Sequence, residues 1–350
     1  MTNQRIIWRT SNNAYEIEEN VEVEAPTAHE VIIKVKACVL DEEPDIELLQ
    51  EFKIIDNDVV LIGRKISGVV TEVGEGVSRF SIGDEVVGMI PPNTSNCGCA
   101  HFCAISEFNI VKKPEKINFA DAACCIGDGL SAYTALHYQA KLAGGETVLV
   151  MNGASGPGIM AIQLAQSWGA KVITTACSEE EKLLLQGIKP EIGRIVDLTS
   201  GKTSLLNICL EETGSTGVDC IIDCGVEQFP NDIAKESKHG CSVLPSKHDL
   251  ILSLAVGGRW ITKQHDLQLD PPHSKMLYLK GATIAFHFTH SWTLAKGQQG
   301  RFLHILTDLL DKVATGILKP ITHHTVSFED ACLTLANLNE YNIGNVLLVM

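Results

Sequence analysis

A glycine turn set between an apolar strand and an apolar helix constrains this chain more than any other feature. Residues 147–151 read Thr-Val-Leu-Val-Met, a largely β-branched run. They pass into Asn152-Gly153-Ala154-Ser155-Gly156-Pro157-Gly158 and then into the helical pattern of residues 159–165. Glycines there let the backbone approach a pyrophosphate, and the N–H groups of a helix start point at its negative charge. The turn also opens a series. Strand patterns at 146–151, 171–175, 194–197, 219–223, 259–262 and 282–286 alternate with helical patterns at 158–168, 179–186 and 202–212. Such alternation predicts an α/β doubly wound parallel sheet, covered on both faces.

The N-terminal third has a different texture. Residues 15–19 and 31–36 alternate apolar and polar, and Gly63, Gly68, Gly74, Gly76, Gly83 and Gly88 punctuate short β-branched runs. This pattern predicts a small, strongly bent β-barrel. An Ala- and Leu-rich stretch at 120–142 is helical by composition and places a boundary near residue 126. An amphipathic helix through 302–310 and a strand at 346–349 close the chain. The domain expectation is 1–125 with 290–350, and 126–289. Residues 225–250 form a long polar connection, a length that is usually functional or mobile, with a plain surface loop as the equal alternative.

At 350 residues the chain is long enough for two packed cores. A net charge of -15 argues against direct nucleic-acid binding by the isolated chain and against anionic lipid. No run approaches a membrane span, so no membrane insertion is expected. The start lacks a signal-peptide pattern, so the 12 cysteines are read as mostly reduced and the chain as cytoplasmic.

The expected cofactor contacts in the turn are Gly153, Ala154, Ser155, Gly156 and Gly158. The next strand ends in Thr174-Thr-Ala-Cys177-Ser178, with no Asp or Glu to hold a ribose 2′-hydroxyl. Ser178 and Lys182 are the candidates for a 2′-phosphate, which points to NADP(H); the alternative is that both are solvent-facing helix-start residues. Cys177 precedes a helix start that could activate it, with simple packing as the stronger reading. Cys97-Gly-Cys99-Ala-His101-Phe-Cys103 looks metal-like. On a strand, however, these four residues share one face, a row and not a cage, so no metal is expected.

Several motifs together resemble one family. They are Gly68-Val-Val-Thr-Glu-Val-Gly-Glu-Gly-Val77, Gly83-Asp-Glu-Val-Val-Gly88, Leu130-Ser-Ala-Tyr-Thr-Ala-Leu136, the turn at 153–165, Gly257-Gly-Arg259, Leu279-Lys-Gly-Ala-Thr283, Gly316-Ile-Leu-Lys-Pro320 and Phe328-Glu-Asp-Ala331. They resemble the medium-chain dehydrogenase/reductases, in their zinc-free quinone oxidoreductase (ζ-crystallin) branch. The resemblance implies a GroES-like barrel beside a Rossmann domain and zinc-independent hydride transfer from NADPH to a quinone or enone. It places Thr134 near the nicotinamide and implies a dimer through the edge strand at 282–286.

The chain departs from that pattern in places. Where zinc-dependent relatives carry a Cys and a Gly-His-Glu, it reads Cys38-Val-Leu-Asp41 and Gly63-Arg64-Lys65, and a guanidinium cannot ligate zinc. Asp41 stands where the branch places an Asn, and residues 42–62 contain no Tyr. The turn is one residue short of the family's, and Pro157 has no N–H to offer. Catalytic residues are therefore not assigned. The competing expectation is a non-catalytic subunit. The resemblance implies that assembly to be FERRY, an early-endosomal Rab GTPase effector complex that carries mRNA, with recruitment to endosomes through partners. A short-chain dehydrogenase is excluded, since none of the five tyrosines has a Lys four residues later.

Overall fold

The structure, a computed structural model, describes residues 2–41, 50, 58–199, 204–226, 245–341 and 343–350. It divides into two compact units, Met1–Leu130 with Thr289–Met350, and Ser131–Phe288. The division falls near the end of helix α1, Phe119–Tyr133, a few residues beyond the expected 126. The helix runs unbroken through Gly127 and Gly129, so its secondary structure marks no boundary there.

The first unit is built mainly of strands. β1 (Thr2–Arg9), β2 (Ala14–Glu22) and β4 (Val59–Leu61) form a three-stranded sheet. β3 (Glu30–Leu40) pairs with β5 (Lys65–Val73), with β7 (Phe102–Ser106) and with β16 (Asn345–Val349). β6 (Glu85–Met89), β8 (Ile110–Lys112) and β15 (Thr322–Val326) complete the larger sheet, in the order β15-β16-β3-β5-β6-β8. β3 is paired by several neighbours and is apolar almost throughout; Val31, Ile33, Val35 and Cys38 pack with Ile66, Val86, Ile110 and Leu348. The segment 97–101 is not the strand expected. It is a loop with one bridge, Arg5 to Ala100, and only Cys103 of the Cys/His series lies on β7. Gly98 approaches the backbone so closely that a Cβ would lie 2.8 Å from the Gly63 carbonyl oxygen, which bends the chain out of a ladder.

The second unit is a six-stranded sheet in which every pair is parallel. Its strands are β9 (Thr147–Val150), β10 (Lys171–Ala176), β11 (Arg194–Asp197), β12 (Val218–Ile222), β13 (Leu254–Thr262) and β14 (Thr283–Phe286), in the order β11-β10-β9-β12-β13-β14. Helices α2 (Gly156–Ser167), α3 (Glu179–Gly187), α4 (Leu205–Glu212), α5 (Lys247–Ser253) and α6 (Pro271–Lys280) connect them. In the first unit, α7 (Gln299–Ala314) and α8 (Ala331–Ala336) follow. Parallel strands are buried on both faces, and Leu149, Ile173, Val196, Ile221 and Trp260 form the core. β13 starts five residues before the expected 259. Its register with β12 shifts after Val218, and Gly257, at φ +76°, sits in the irregular part that reads as a loop in sequence. At the amino ends of the strands, Arg259 holds Glu146 through two bonds of 2.9 and 2.6 Å. Among the described residues no helix is long and apolar enough to cross a membrane. Most of the polar connection expected at 225–250 lies outside the described residues, as do 42–49 and 51–57.

Candidate functional site

In the second unit the sheet order reverses between β9 and β12. That switch point is where open parallel sheets leave a crevice at the carboxyl ends of their strands. The glycine turn follows β9 there. Asn152 has φ +53°, and among the described residues its buried Oδ1 has no hydrogen-bond partner. Gly153 is held so close to β10 that a Cβ would lie 1.9 Å from Thr174 Oγ1, and at Gly158 a Cβ would lie 2.3 Å from the Asn152 carbonyl oxygen. Both glycines are therefore required by packing, whatever else they do.

The amides of the turn are largely used within it. Gly153 N–H donates to Thr175 O (3.3 Å), Ser155 N–H to Asn152 O (3.2 Å), and Ile159 N–H to Ser155 O (2.9 Å). Gly158 N–H donates to Ser155 Oγ at 3.2 Å, so Ser155 is the helix cap. The helix begins at Gly156, two residues before the expected start. Pro157 thus occupies the first turn, where its fixed φ suits the helix and its missing N–H costs nothing. That leaves Ala154 and Gly156 as the remaining amides of the turn.

Ser178 and Lys182 are also committed. Ser178 caps α3, accepting from Glu181 N–H at 3.1 Å, while Glu181 Oε2 accepts from Cys177 N–H at 2.7 Å. Burial pushes the Glu181 carboxyl above its ordinary range, against the pull of those amides. Sequence reasoning missed Glu181, although the Ser-x-x-Glu spacing announces a capping box. Lys182 Nζ lies 2.9 Å from Asp197 Oδ2 and 3.4 Å from Glu179 Oε2. Thr199 and Lys182 hold the Asp197 carboxyl down to about 2. Cys177 is disulfide-bonded, so it offers no thiol for nucleophilic chemistry.

Further along the same carboxyl edge, Asp223 follows β12. It is buried and accepts from Trp260 Nε1 at 2.6 Å and Thr262 Oγ1 at 3.1 Å. Thr134 is buried and opens a π-helical stretch, Thr134–Gln139, that continues α1. His287 follows β14 and bonds Ser131 and Gln139, a set that no motif reveals because its members lie 8 to 156 residues apart.

In the first unit the segments at Cys38–Asp41 and Gly63–Lys65, where no metal is expected, carry charge. Lys65 Nζ lies 2.8 Å from Asp41 Oδ2 and 3.3 Å from Asp128 Oδ1, and Asn345 Nδ2 donates to Asp128 Oδ2 at 2.7 Å. The lysine stem passes Gly127 of α1, where a Cβ would lie 2.1 Å from Lys65 Cε. Burial opposes the ammonium, yet Asp41 and then Asp128 outweigh it and hold Lys65 above the ordinary lysine range. The Arg64 guanidinium donates to the carbonyls of Pro91 (3.2 Å), Asn96 (3.1 Å) and Leu61 (2.5 Å). Burial, then Arg64 and Lys65, push His290 down to about 4. Cys38 and Cys99 are buried with sulfurs 3.8 Å apart, and burial pushes the Cys38 thiol up. Among the described residues no three His, Cys, Asp or Glu side chains gather as a metal site.

Comparison with known proteins agrees with this architecture. Residues 27–142 match the family model of the alcohol dehydrogenase GroES-like domain. Quinone oxidoreductase-like protein 1 of Mus musculus is 43% identical over 305 residues, 87% of this chain and 86% of that protein. Quinone oxidoreductase of Homo sapiens is 28% identical over 211 residues, 59% of this chain and 61% of its own length. A solved quinone oxidoreductase from Pseudomonas syringae pv. Tomato DC3000 superposes with a TM-score of 0.77 over 100% of both chains at 22% identity. The CurK enoyl reductase superposes with a TM-score of 0.80 over 99% of both at 21% identity. These last two likenesses are of fold. From its motifs, its parallel sheet with a glycine turn at the switch point and its near full-length relative, the chain belongs to the medium-chain dehydrogenase/reductase family, in the quinone oxidoreductase branch, with a GroES-like and a Rossmann fold.

Proposed function

We propose that this chain is a zinc-independent oxidoreductase that holds a nicotinamide dinucleotide, NADP(H) by preference, and passes hydride to a quinone or enone. The observation that carries this reading is the glycine turn at the β9–β12 switch point, opening directly onto the α2 N-terminus. Its contacts are Gly153, Ala154, Ser155, Gly156 and Gly158, with Thr134 toward the nicotinamide. Ser178 and Lys182 are the groups for a 2′-phosphate. The residues fit a dinucleotide weakly: the free amides are few, and a 2′-phosphate must compete with Asp197 and Glu179 for Lys182. When bound, the cofactor supplies the hydride. The chain's own part is to hold cofactor and acceptor within reach.

The same internal use of the turn supports a second reading, a non-catalytic subunit of the endosomal FERRY assembly. In that reading the chain is cytoplasmic and reaches early endosomes through its partners. Exposed Phe286 on the edge strand β14, Val256 on its neighbour β13, and Tyr278 and Leu279 on α6 favour pairing there, with a second copy or with another subunit. Calorimetric titration of the purified chain with NADPH and NADH decides between the two. Micromolar NADPH binding with weaker NADH supports the reductase. No binding of either at millimolar concentration rejects it, and co-purification with larger proteins then tests the subunit reading.

A further inference from the structure

The stretch Thr134–Gln139 has π-helical geometry, and Ala140 N–H donates to Ala135 O at 2.8 Å, five residues back. In an α-helix residue i+5 lies about 140° around the axis from residue i. The wider π turn brings it back to the same side. Tyr133 is therefore met by both His137 and Tyr138, with ring centroids 5.1 and 6.0 Å away. Trp168, at the end of α2, stands edge-on to Tyr133 at 5.6 Å and reaches His137 at 6.0 Å. Four aromatic side chains thus form one cluster, all within the second unit. Tyr133, Tyr138 and Trp168 are half-buried and His137 is exposed, so the cluster lies at the surface.

The charge around it departs from that of the chain. The protein has 43 acidic residues among 350. From residue 129 to residue 170 it has a single carboxylate, Glu146, and a single lysine, Lys141. Arg259 takes up Glu146 through its two bonds of 2.9 and 2.6 Å. Lys141 is exposed, and the turn that follows it packs on Trp168. Gly145 N–H donates to Gly169 O at 2.9 Å, and a Cβ on Gly144 would lie 3.0 Å from the Trp168 carbonyl oxygen. Beside Trp168, Gln166 Nε2 holds the carbonyls of Pro190 and Glu191, and the Glu191 carboxylate is paired with Lys189 at 3.1 Å. The segments that build this face therefore contribute one lysine and no unpaired carboxylate, on a molecule of net charge -15. Tyr and Trp in place of carboxylates is the composition of a protein interface.

We propose that the face formed by Tyr133, His137, Tyr138 and Trp168 docks an acidic segment of another protein, with its apolar or aromatic side chains against the rings and its carboxylates toward Lys141. Charge selects the occupant. A basic segment is drawn to the acidic remainder of the surface and finds no carboxylate to pair with here, whereas an acidic one gains at this face what it loses elsewhere. Gln139, the next residue, donates to Phe286 O on the edge strand β14 at 2.8 Å, so the face continues onto the exposed Phe286 ring. The proposal goes beyond both readings above, since it needs neither a bound dinucleotide nor a particular assembly.

The probe is a random copolymer of glutamate and tyrosine, titrated calorimetrically into the full chain, with polyglutamate as its comparison. The copolymer should bind in the micromolar range although both partners are acidic, and polyglutamate, which has no rings to seat, about tenfold more weakly. His137→Glu combined with Lys141→Glu should weaken the copolymer by about tenfold or more through like-charge repulsion. Both side chains are exposed, so circular dichroism and melting temperature should stay with the parent. Lys141→Glu alone repeats the test at a position beyond the helical stretch. A copolymer that fails to bind the parent, binds it no better than polyglutamate does, or binds the variants as tightly overturns the proposal. So does a sedimentation mass that falls from two copies to one in the variants, because the face is then covered by a second copy of this chain.

Discussion

Two lysines of this molecule have nearly the same partners and opposite surroundings. Lys65 lies 2.8 and 3.3 Å from two carboxylates, and Lys182 lies 2.9 and 3.4 Å from two others. The side chain of Lys65 is 9% exposed, whereas that of Lys182 is 30% exposed. Distance therefore says little about what either pair does. Asp41 is 35% exposed, but on the Asp128 side, where the carboxylate is 2% exposed, water is excluded; Asp128 is itself bonded to Asn345, and α1 carries Gly127 to make room for the stem. The ammonium there is a fixed strut between β3, β5 and α1. Around Lys182 solvent screens the attraction, so its carboxylates are exchangeable partners.

The largest expected effect lies at the strut. Lys65→Met leaves Asp128 buried beside Asp41 with no cation, and removing one partner of a buried pair costs about 3–5 kcal/mol. Urea unfolding should show that loss as a lower midpoint. Adding Asp128→Asn to Lys65→Met should recover part of it, because the uncompensated charge goes with it. A loss below about 1 kcal/mol in the single variant would put Lys65 in the same class as Lys182 and dissolve the contrast.

Next comes the turn packed against β10, the strand that leads into the exposed lysine's helix, α3. Gly153→Ala places a Cβ 1.9 Å from Thr174 Oγ1, so β10 or the turn must shift. Overpacking of this kind costs about 1–3 kcal/mol, and thermal unfolding should register it with or without cofactor. A variant that unfolds like the parent but has lost NADPH would show that Gly153 serves the ligand more than the packing.

The sequence makes the sheet legible and the side-chain commitments much less so. Parallel strands announce themselves by apolar runs, and five of the six strands of the second unit fall within a residue or two of expectation at both ends. β13 is the exception, since a Gly257-Gly258 pair reads as a loop while the strand runs on through it across a register shift, pairing with β12 at Leu254 and again from Arg259. The Cys97–Cys103 series misled in the other direction, because alternation was assumed where Gly98 bends the chain. Ser178 and Lys182 were read as free to meet a phosphate. Their partners, Glu181 and Asp197, were both visible in sequence, but only the capping box obeys a local rule; the approach of β11 to α3 does not. Asp128 and Asn345 lie 217 residues apart and meet only through tertiary packing.

A pH series sharpens the contrast from the acid side. Asp197 is held down to about 2, first by Thr199 and then by Lys182. A carboxyl depressed in the folded state stabilises it above the unfolded value, near 4, and that contribution fades as pH falls toward 2. Between pH 5 and 2 the stability difference between the parent chain and Thr199→Val should therefore shrink. A difference that stays constant would mean that Thr199 acts through packing and not through the charge.

The smallest effect on stability, and the most informative for function, is expected at Lys182. Lys182→Met breaks a solvent-screened pair, so the unfolding midpoint should barely move and the residual change should vanish in high salt. Cofactor binding should respond differently. If Lys182 leaves Asp197 and Glu179 to meet a 2′-phosphate, the variant loses about tenfold in NADPH affinity, on the scale of one charge-assisted bond, and nothing in NADH affinity. If both dinucleotides keep their affinity, the carboxylates hold the lysine as firmly as Asp41 and Asp128 hold Lys65. Exposure would then not have made the pair exchangeable, and the preference for NADP(H) would have no cation behind it.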